Sequence, residues 1–413
     1  MKKIILFALL PILLISCDRF GSGRVKNLID LTPKLEVESK EKFNFSSAQL
    51  KENKFLDKKA KSYKLSKNTI ITKPAIAKGV MYSTDVKGFV SAYSLKEKKI
   101  LWQTDIAKGT LDRNFNDGGI LYSDGRLYVT NSSRYLVVLD AESGDEIIRK
   151  EYPDIVRNKP VMATDRLLLV QTISNQLIAY DIKTSKFLWL HEGELETIST
   201  KNHVHPIVYD GHVLVSYSSG EIVYLDAQSG KEKWRYNLTS ISDIGIPSFD
   251  PSVIVTVPII KDEYAYFATS DGKLIKMDLD NGAPAWVKSA EDIQALSLVG
   301  DYLLIANNAR QIAALSSHNG KVLWVGNLIS QQERSKKTVR TALFQEPFVT
   351  KDGSSFTINV IASSGELYQF NPDSSGFISA EPTIKKIAKN VKYHWMSCCS
   401  GKLHLITGSD IIY

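Results

Sequence analysis

The stretch Gly220-Glu-Ile-Val-Tyr-Leu-Asp-Ala-Gln-Ser-Gly-Lys-Glu-Lys-Trp234 decides the fold of this chain. Its first half alternates apolar side chains in the manner of a strand packed between sheets. Asp226 then begins a turn by accepting hydrogen bonds from backbone amides, and Gly230 supplies a positive-φ position. Trp234 offers a large flat apolar surface that can bridge neighbouring sheets. The unit therefore predicts a β-hairpin that ends in a packing anchor.

This fifteen-residue unit recurs along the chain. Further copies start at Gly88, Arg134, Asn175, Gly272, Arg310 and Gly365. Five of the six tryptophans occupy its last position, namely Trp102, Trp189, Trp234, Trp286 and Trp324. The starts lie 38 to 55 residues apart, and another strand pair precedes each unit. Periods of about 40 to 50 residues with four short strands are typical of β-propeller blades. Each blade therefore has strands A to D, of which the unit supplies C and D.

An eighth, incomplete copy ends the chain. Residues 394–399, 402–407 and 410–413 predict its strands A, B and C. An open ring would expose unpaired strand edges, so the missing strand D must come from elsewhere. The segment from Ser62 to Ile71, just before the first blade, is the natural donor. The sequence therefore predicts an all-β fold over residues 61–413, an eight-bladed propeller of four-stranded antiparallel blades closed by an N-terminal strand.

The N-terminus has the pattern of an export signal. Two lysines precede the apolar stretch 4–15, which is too short for a membrane-spanning helix. The stretch ends in Leu14-Ile15-Ser16-Cys17, which resembles the bacterial lipobox, where the cysteine becomes acylated. We expect a signal peptide over 1–16 and lipid attachment at Cys17, an ordinary secretory signal being the alternative. Asp18 resembles the inner-membrane retention signal of enteric bacteria and leaves the choice of membrane open.

Charge is concentrated near the N-terminus. The formal net charge is +7, and residues 41–67 hold eight lysines against three acidic residues. The propeller itself is therefore close to neutral, which argues against nucleic-acid binding by its body. Residues 17–60 are polar and predict a flexible, lysine-rich tether.

The Asp-x-x-x-Gly-x-x-x-Trp unit resembles the PQQ-binding-like repeat of quinoprotein dehydrogenases. The lipoprotein signal, the tether and the repeats together resemble the BamB family, the outer-membrane protein assembly lipoproteins of Gram-negative bacteria. The resemblance implies a non-catalytic scaffold at the periplasmic face of the outer membrane. Its partners would be the periplasmic domains of BamA, the barrel that inserts other barrels, together with unfolded outer-membrane proteins.

In that family, partner contacts cluster on loops after the third and fourth blades. These correspond here to residues 191–203 and 238–253. The resemblance implies that Leu195 and Ile198 are apolar anchors and that Asp243 and Asp250 are acidic contacts. The alternative for the two aspartates is an ordinary role in turns.

The quinoprotein dehydrogenases are the enzymatic alternative. They need a calcium-bound quinone, an aspartate base and an adjacent pair of bonded cysteines, and Cys398-Cys399 matches the last feature. The connections between blades are short, and no cluster of carboxylates and amides suggests a calcium site. His203 and His205 share a strand face, but no third metal ligand is evident. We expect no catalytic residue, metal or cofactor; a different periplasmic binding lipoprotein is a third alternative.

Deleting residues 55–70 should cause unfolding or aggregation, because it would remove the strand that closes the ring. Thermal melting and size-exclusion chromatography measure this outcome. A monomeric truncation with unchanged melting would contradict the N-terminal closure.

Overall fold

The structure is a computed structural model. It describes residues 24–26, 35–46, 50–52, 61–109, 113–115, 117–194, 204–238, 252–290, 292–329, 338–340, 343–352, 355–396 and 402–413. The predicted signal peptide and Cys17 lie outside these residues. Within the described ranges, no helix is long and apolar enough to cross a membrane.

The prediction of eight four-stranded antiparallel blades is confirmed. Three short strands precede the first blade: β1 (Arg24–Lys26), β2 (Lys51–Glu52) and β3 (Ser62–Lys64). Strands A to D of blades one to four are β4 (Ala75–Ala77), β5 (Val80–Thr84), β6 (Phe89–Ser94), β7 (Lys99–Asp105); β8 (Gly119–Ser123), β9 (Arg126–Thr130), β10 (Tyr135–Asp140), β11 (Glu146–Glu151); β12 (Val156–Met162), β13 (Leu167–Thr172), β14 (Gln176–Asp181), β15 (Lys186–Glu192); β16 (Ile207–Tyr209), β17 (His212–Ser216), β18 (Glu221–Asp226), β19 (Glu232–Asn237).

Blades five to eight continue the same order, with one short strand between blades six and seven. Their strands are β20 (Ile259–Lys261), β21 (Tyr264–Ala268), β22 (Lys273–Asp278), β23 (Pro284–Ser289); β24 (Ile293–Val299), β25 (Tyr302–Asn307), β26 (Gln311–Ser316), β27 (Val322–Asn327); then β28 (Thr338–Arg340); β29 (Phe348–Asp352), β30 (Ser355–Ile361), β31 (Glu366–Phe370), β32 (Thr383–Lys386); β33 (Tyr393–Met396), β34 (Leu403–Thr407), β35 (Asp410–Ile412). β28 pairs with β1, and β2 adds a fifth strand to blade seven.

The first strand of each blade faces the axis of the ring. Neighbouring blades approach one another through these strands, as β8 does to β12 and β12 to β16. Together they surround the central channel that is usual in propellers. Since the strands alternate in direction, the A–B and C–D turns lie at one end, which we call the lower face. The B–C turns and the loops from strand D to the next strand A lie at the other end, the upper face.

The N-terminal closure is also confirmed. Strand β3 pairs antiparallel with β35, with Ser62 opposite Ile412 and Lys64 opposite Asp410, and so becomes strand D of blade eight. The rings of Tyr63 and Tyr413 stack with centroids 5.3 Å apart. The ammonium of Lys98, from blade one, lies over both rings at 5.2 and 5.4 Å. Blade eight is thus joined to blade one by the cation–π contacts of Lys98.

The repeat tryptophans dock on the C–D turn of the following blade. The indole N–H groups of four of them donate to backbone carbonyls there: Trp102 to Ala141, Trp234 to Leu279, Trp286 to Ser317 and Trp324 to Ile378, at 2.8–3.3 Å. The indole N–H of Trp189 has no such partner among the described residues. A turn glycine lies against the indole ring in four of these contacts, those of Trp102, Trp189, Trp234 and Trp286. A Cβ added to Gly230 would lie 2.6 Å from Cδ2 of Trp189. These glycines are therefore required for space as well as for their positive φ.

This docking explains two of the three places where the glycine of the repeat is replaced. Ser185 occupies the glycine position of blade three, and the preceding blade has Ile148 in place of tryptophan. Lys98 occupies it in blade one, where the preceding blade eight presents Tyr63. Both residues keep the left-handed backbone, with φ of 57° and 59°. Glycine is therefore not needed where no tryptophan of the previous blade lies against the turn. Ser375 of blade seven is not explained in this way, since Trp324 of blade six docks on its turn.

Part of the predicted tether lies against the propeller. The backbone N–H of Leu35 donates to the side chain of Gln311 at 3.0 Å. The carboxylate of Glu38 accepts from Lys288 Nζ at 2.6 Å and from the backbone N–H of Val322 at 2.8 Å. Residues 35–38 therefore bridge blades five and six.

Two phenylalanines continue this docking on the lower face. Phe43 and Phe45 lie 4.9 and 5.1 Å from the ring of Tyr302, and Phe45 lies 4.9 Å from that of Phe356. Strand β2 then runs parallel to β29. The structure thus differs from a tether that is flexible throughout 17–60. Average composition does not show that two aromatic side chains are placed to pack on blades six and seven.

The glycine docking can be tested with a matched pair in blade four. Gly211 and Gly230 both have φ of +70°, but a Cβ on Gly211 would have no atom within 4 Å. G211A should destabilise the fold by about 1–2 kcal/mol through backbone strain. G230A should lower the free energy of unfolding by a further ~1–3 kcal/mol, because its Cβ overlaps Trp189. Urea denaturation measures both variants, and equal losses would show that the indole contact is unimportant.

Candidate binding site on the upper face

The sequence-predicted partner residues fall outside the described part of the chain. This holds for Leu195 and Ile198 in the first loop and for Asp243 and Asp250 in the second. Cys398, Cys399 and His203 are likewise outside it. The described ends of both loops join strand D of one blade to strand A of the next, β15 to β16 and β19 to β20. Both loops therefore start and end on the upper face, at adjacent blades.

The base of the first loop is held by a buried carboxylate. Glu221 is 1% exposed; it forms an ion pair with Arg235 and accepts the backbone N–H of Glu194. The side chain of Asn175 donates to the carbonyl of Glu194 at 2.7 Å. Because a buried charge is costly without partners, this network fixes the point at which the loop leaves the blade. Sequence reasoning did not predict this network, since Glu221 occupies an ordinary strand position.

The second loop returns to blade five through a smaller network. The hydroxyl of Ser252 donates to Asp271 at 2.6 Å, and the backbone N–H of Val253 donates to the hydroxyl of Ser270 at 3.0 Å. Together with the Glu221 network, these bonds give the two loops rigid bases.

A cationic group lies where the channel opens on the upper face. It consists of Lys73 before strand A of blade one, Lys159 in β12 and His205 before β16. Burial, with the charges of Lys159 and then Lys73, lowers the pKa of His205 to about 4. Burial and the charge of Lys73 also lower the pKa of Lys159. The charges of the two lysines therefore act on each other and on His205, although the three side chains come from three blades.

A cavity of about 230 Å³ adjoins this group. Lys73 lines it and pairs with Glu346 at 3.3 Å, both side chains being exposed. Lys392 also lines it, and its Nζ donates to the carbonyl of Ile70 at 2.7 Å. The phenol of Tyr393 donates to the carbonyl of Ile71, also at 2.7 Å. Blade eight is thereby fixed to the segment that leads into blade one.

The cationic group does not fit a calcium-bound quinone, because the charges of Lys73 and Lys159 would repel a divalent cation. Within the described ranges, no three His, Cys, Asp or Glu side chains are grouped to hold a metal ion. The five repeat tryptophans, for their part, are placed between blades and not at the channel.

Eight blades, seven of which carry a variant of the Asp-x-x-x-Gly-x-x-x-Trp unit, define a β-propeller of the PQQ-type repeat class. The profile of a family described as outer membrane protein assembly factor BamB matches residues 86–244 and 248–393. The chain belongs to this family.

Individual relatives agree with this assignment. An uncharacterised protein of Rickettsia prowazekii is 41% identical over 416 residues, which cover 100% of this chain and 99% of that protein. The outer membrane protein assembly factor BamB of Shewanella oneidensis is 23% identical over 74% of this chain and 78% of its own length. The crystal structure of BamB from Moraxella catarrhalis superposes with a TM-score of 0.65 at 18% identity, over 85% of this chain and 97% of that one. The structural similarity shows the shared fold.

The closeness of the cationic side chains can be tested through His205. Replacing Lys159 with Gln removes a positive charge that opposes protonation of the imidazole. The pKa of His205 should then rise from about 4 by roughly 0.3 to 1, while burial keeps it below the ordinary value. A histidine NMR titration measures the change. The control K96Q, on the lower face, should leave it unaltered; the same titration curve for K159Q and wild type would place Lys159 far from His205.

Proposed function

We propose that this chain is a non-catalytic periplasmic scaffold of the outer-membrane β-barrel assembly machinery and binds the periplasmic domains of a BamA-like barrel. Membership of the BamB family is the observation that carries the proposal. The two upper-face loops are the proposed contact. Leu195 and Ile198 would supply apolar anchors, and Asp243 and Asp250 would meet basic groups of the partner.

The rigid loop bases favour this role. Binding residues often sit on loops that a stiff scaffold positions. The bonds of Glu221 and Asp271 fix the ends of the two loops before any partner arrives. Because these loop ends are already ordered, less conformational entropy is lost when a partner binds.

The proposed location is the periplasmic face of the outer membrane, with acyl chains on Cys17; Asp18 keeps the inner membrane as the alternative. Strand β1 pairs with β28 near the upper face. Only the six residues 18–23 separate Cys17 from β1, a reach of about 25 Å at most. The anchor would therefore hold the side of blades six and seven close to the bilayer.

Unfolded outer-membrane proteins are proposed as clients of the outer strands. β15 is the outermost strand of blade three, and its Phe187, Leu188 and Leu190 are exposed. An extended client segment could add to such an edge through backbone hydrogen bonds and apolar contacts.

A quinoprotein dehydrogenase remains the second candidate because of the adjacent Cys398 and Cys399. Dye-linked alcohol oxidation after addition of calcium and PQQ would support it. Failure to observe this activity, together with recovery of a BamA-like barrel, would favour the scaffold.

Affinity isolation of the full chain from detergent-solubilised envelopes tests the scaffold. A BamA-like barrel should be recovered with the wild type. D243N/D250N should recover about tenfold less, because paired interface charges are lost. The matched control D124N/D210N changes two exposed lower-face turns in which asparagine keeps the positive φ, and recovery should be unchanged. Isolation of the wild type without any assembly component would overturn the proposal.

A further inference from the structure

Blade three presents Lys159 through an unusual backbone. Asn158 has φ of +60° and lies inside strand β12, whereas the other described non-glycine residues with positive φ lie in turns. The pairing of β12 with β13 shifts register between Arg157 and Val161. Such a bulge re-aims a side chain, and bulges are frequent next to functional sites.

Neighbouring blades hold this bulge in place. The hydroxyl of Thr130, in blade two, donates to the carbonyl of Asn158 at 2.6 Å. The side-chain amide of Asn158 donates to the carbonyl of Val204, before blade four, at 2.8 Å. A Cβ added to Gly119 would lie 2.4 Å from both Cα and Cβ of Lys159, so only glycine lets the two inner strands approach there. Strained backbone persists where its surroundings over-determine it, and such sites are often functional.

The charge of Lys159 is not matched by a nearby acid. Among the described residues, no carboxylate lies within ion-pair distance of its ammonium. Glu346 pairs with Lys73, and Asp117, which precedes strand A of blade two, accepts the backbone N–H of Gly118 at 2.7 Å. A buried hydroxyl beside Lys73, that of Thr72, also has no hydrogen-bond partner among the described residues. The channel mouth therefore has polar groups and positive charge that remain available to a ligand.

We propose that the mouth of the channel is an oxyanion-binding site in which Lys159, Lys73 and His205 bind a carboxylate or phosphate group. The two ammonium groups would donate charge-assisted hydrogen bonds, and the neutral imidazole would donate its one N–H. The hydroxyl of Thr72 supplies a further donor next to Lys73. The source of the oxyanion is either a free small anion or an acidic side chain of a bound protein. The site does not depend on the scaffold function proposed above.

Isothermal titration calorimetry of the full chain tests this site with inorganic phosphate, citrate and a glutamate-rich peptide as probes. K159Q should bind whichever probe binds to the wild type at least about tenfold more weakly, which corresponds to about 1.4 kcal/mol in binding free energy. K159R, which keeps the charge, should retain most of the affinity. The control K96Q removes the same charge from a lower-face turn and should bind as wild type does. H205Q, which leaves the bulge intact, serves as a second test if K159Q fails to fold.

The outcomes distinguish the sources. Phosphate or citrate binding that K159Q weakens supports a site for a free anion. Binding of the peptide alone, also weakened by K159Q, supports a site for an acidic protein segment. Equal weakening by K159Q and K96Q would show only general charge attraction and would overturn the proposal. Absence of binding by all three probes at millimolar concentration would overturn it as well.

Discussion

The contact between a tryptophan of one blade and the C–D turn of the next is the interaction on which the ring depends. A single blade cannot bury both its faces, so each is stable only between two neighbours. The indole covers the turn glycine and also donates to a carbonyl of that turn, so it sets both the spacing and the rotation of adjacent blades. Hydrophobic burial supplies the attraction, while the hydrogen bond supplies direction.

Repetition made most of this architecture predictable. Trp234 and Gly230 recur at fixed spacing, and the incomplete last copy required a donated strand, which β3 supplies. The coupling of glycine to the preceding tryptophan was not apparent, since it joins residues of different repeats. Only the structure shows that Ser185 and Lys98 are permitted because no indole lies against them.

The proposed binding surface was predictable only in part. The family resemblance located the two loops after the third and fourth blades. It did not locate Glu221 or Lys159, because a charged residue within a strand pattern normally indicates a solvated face. Burial of Glu221 follows from partners far along the chain, and the exposure of Lys159 to the channel follows from a bulge that no periodicity reveals. The docking of the tether on the propeller was not predicted for a related reason. Phe43 and Phe45 gain their contacts only from blades distant in sequence.

These features divide the propeller into two faces with different roles. The tether packs Phe43 and Phe45 onto the lower face of blades six and seven, and the tryptophans dock on turns at the same end. The contacts at the lower face therefore contribute most to the stability of the ring. The upper face has the loop bases and the mouth with Lys159, which follows the strained backbone of Asn158. A ring of hairpins permits this separation, since each strand begins at one face and ends at the other. Upper-face loops can then vary without disturbing the lower-face contacts that hold the blades together.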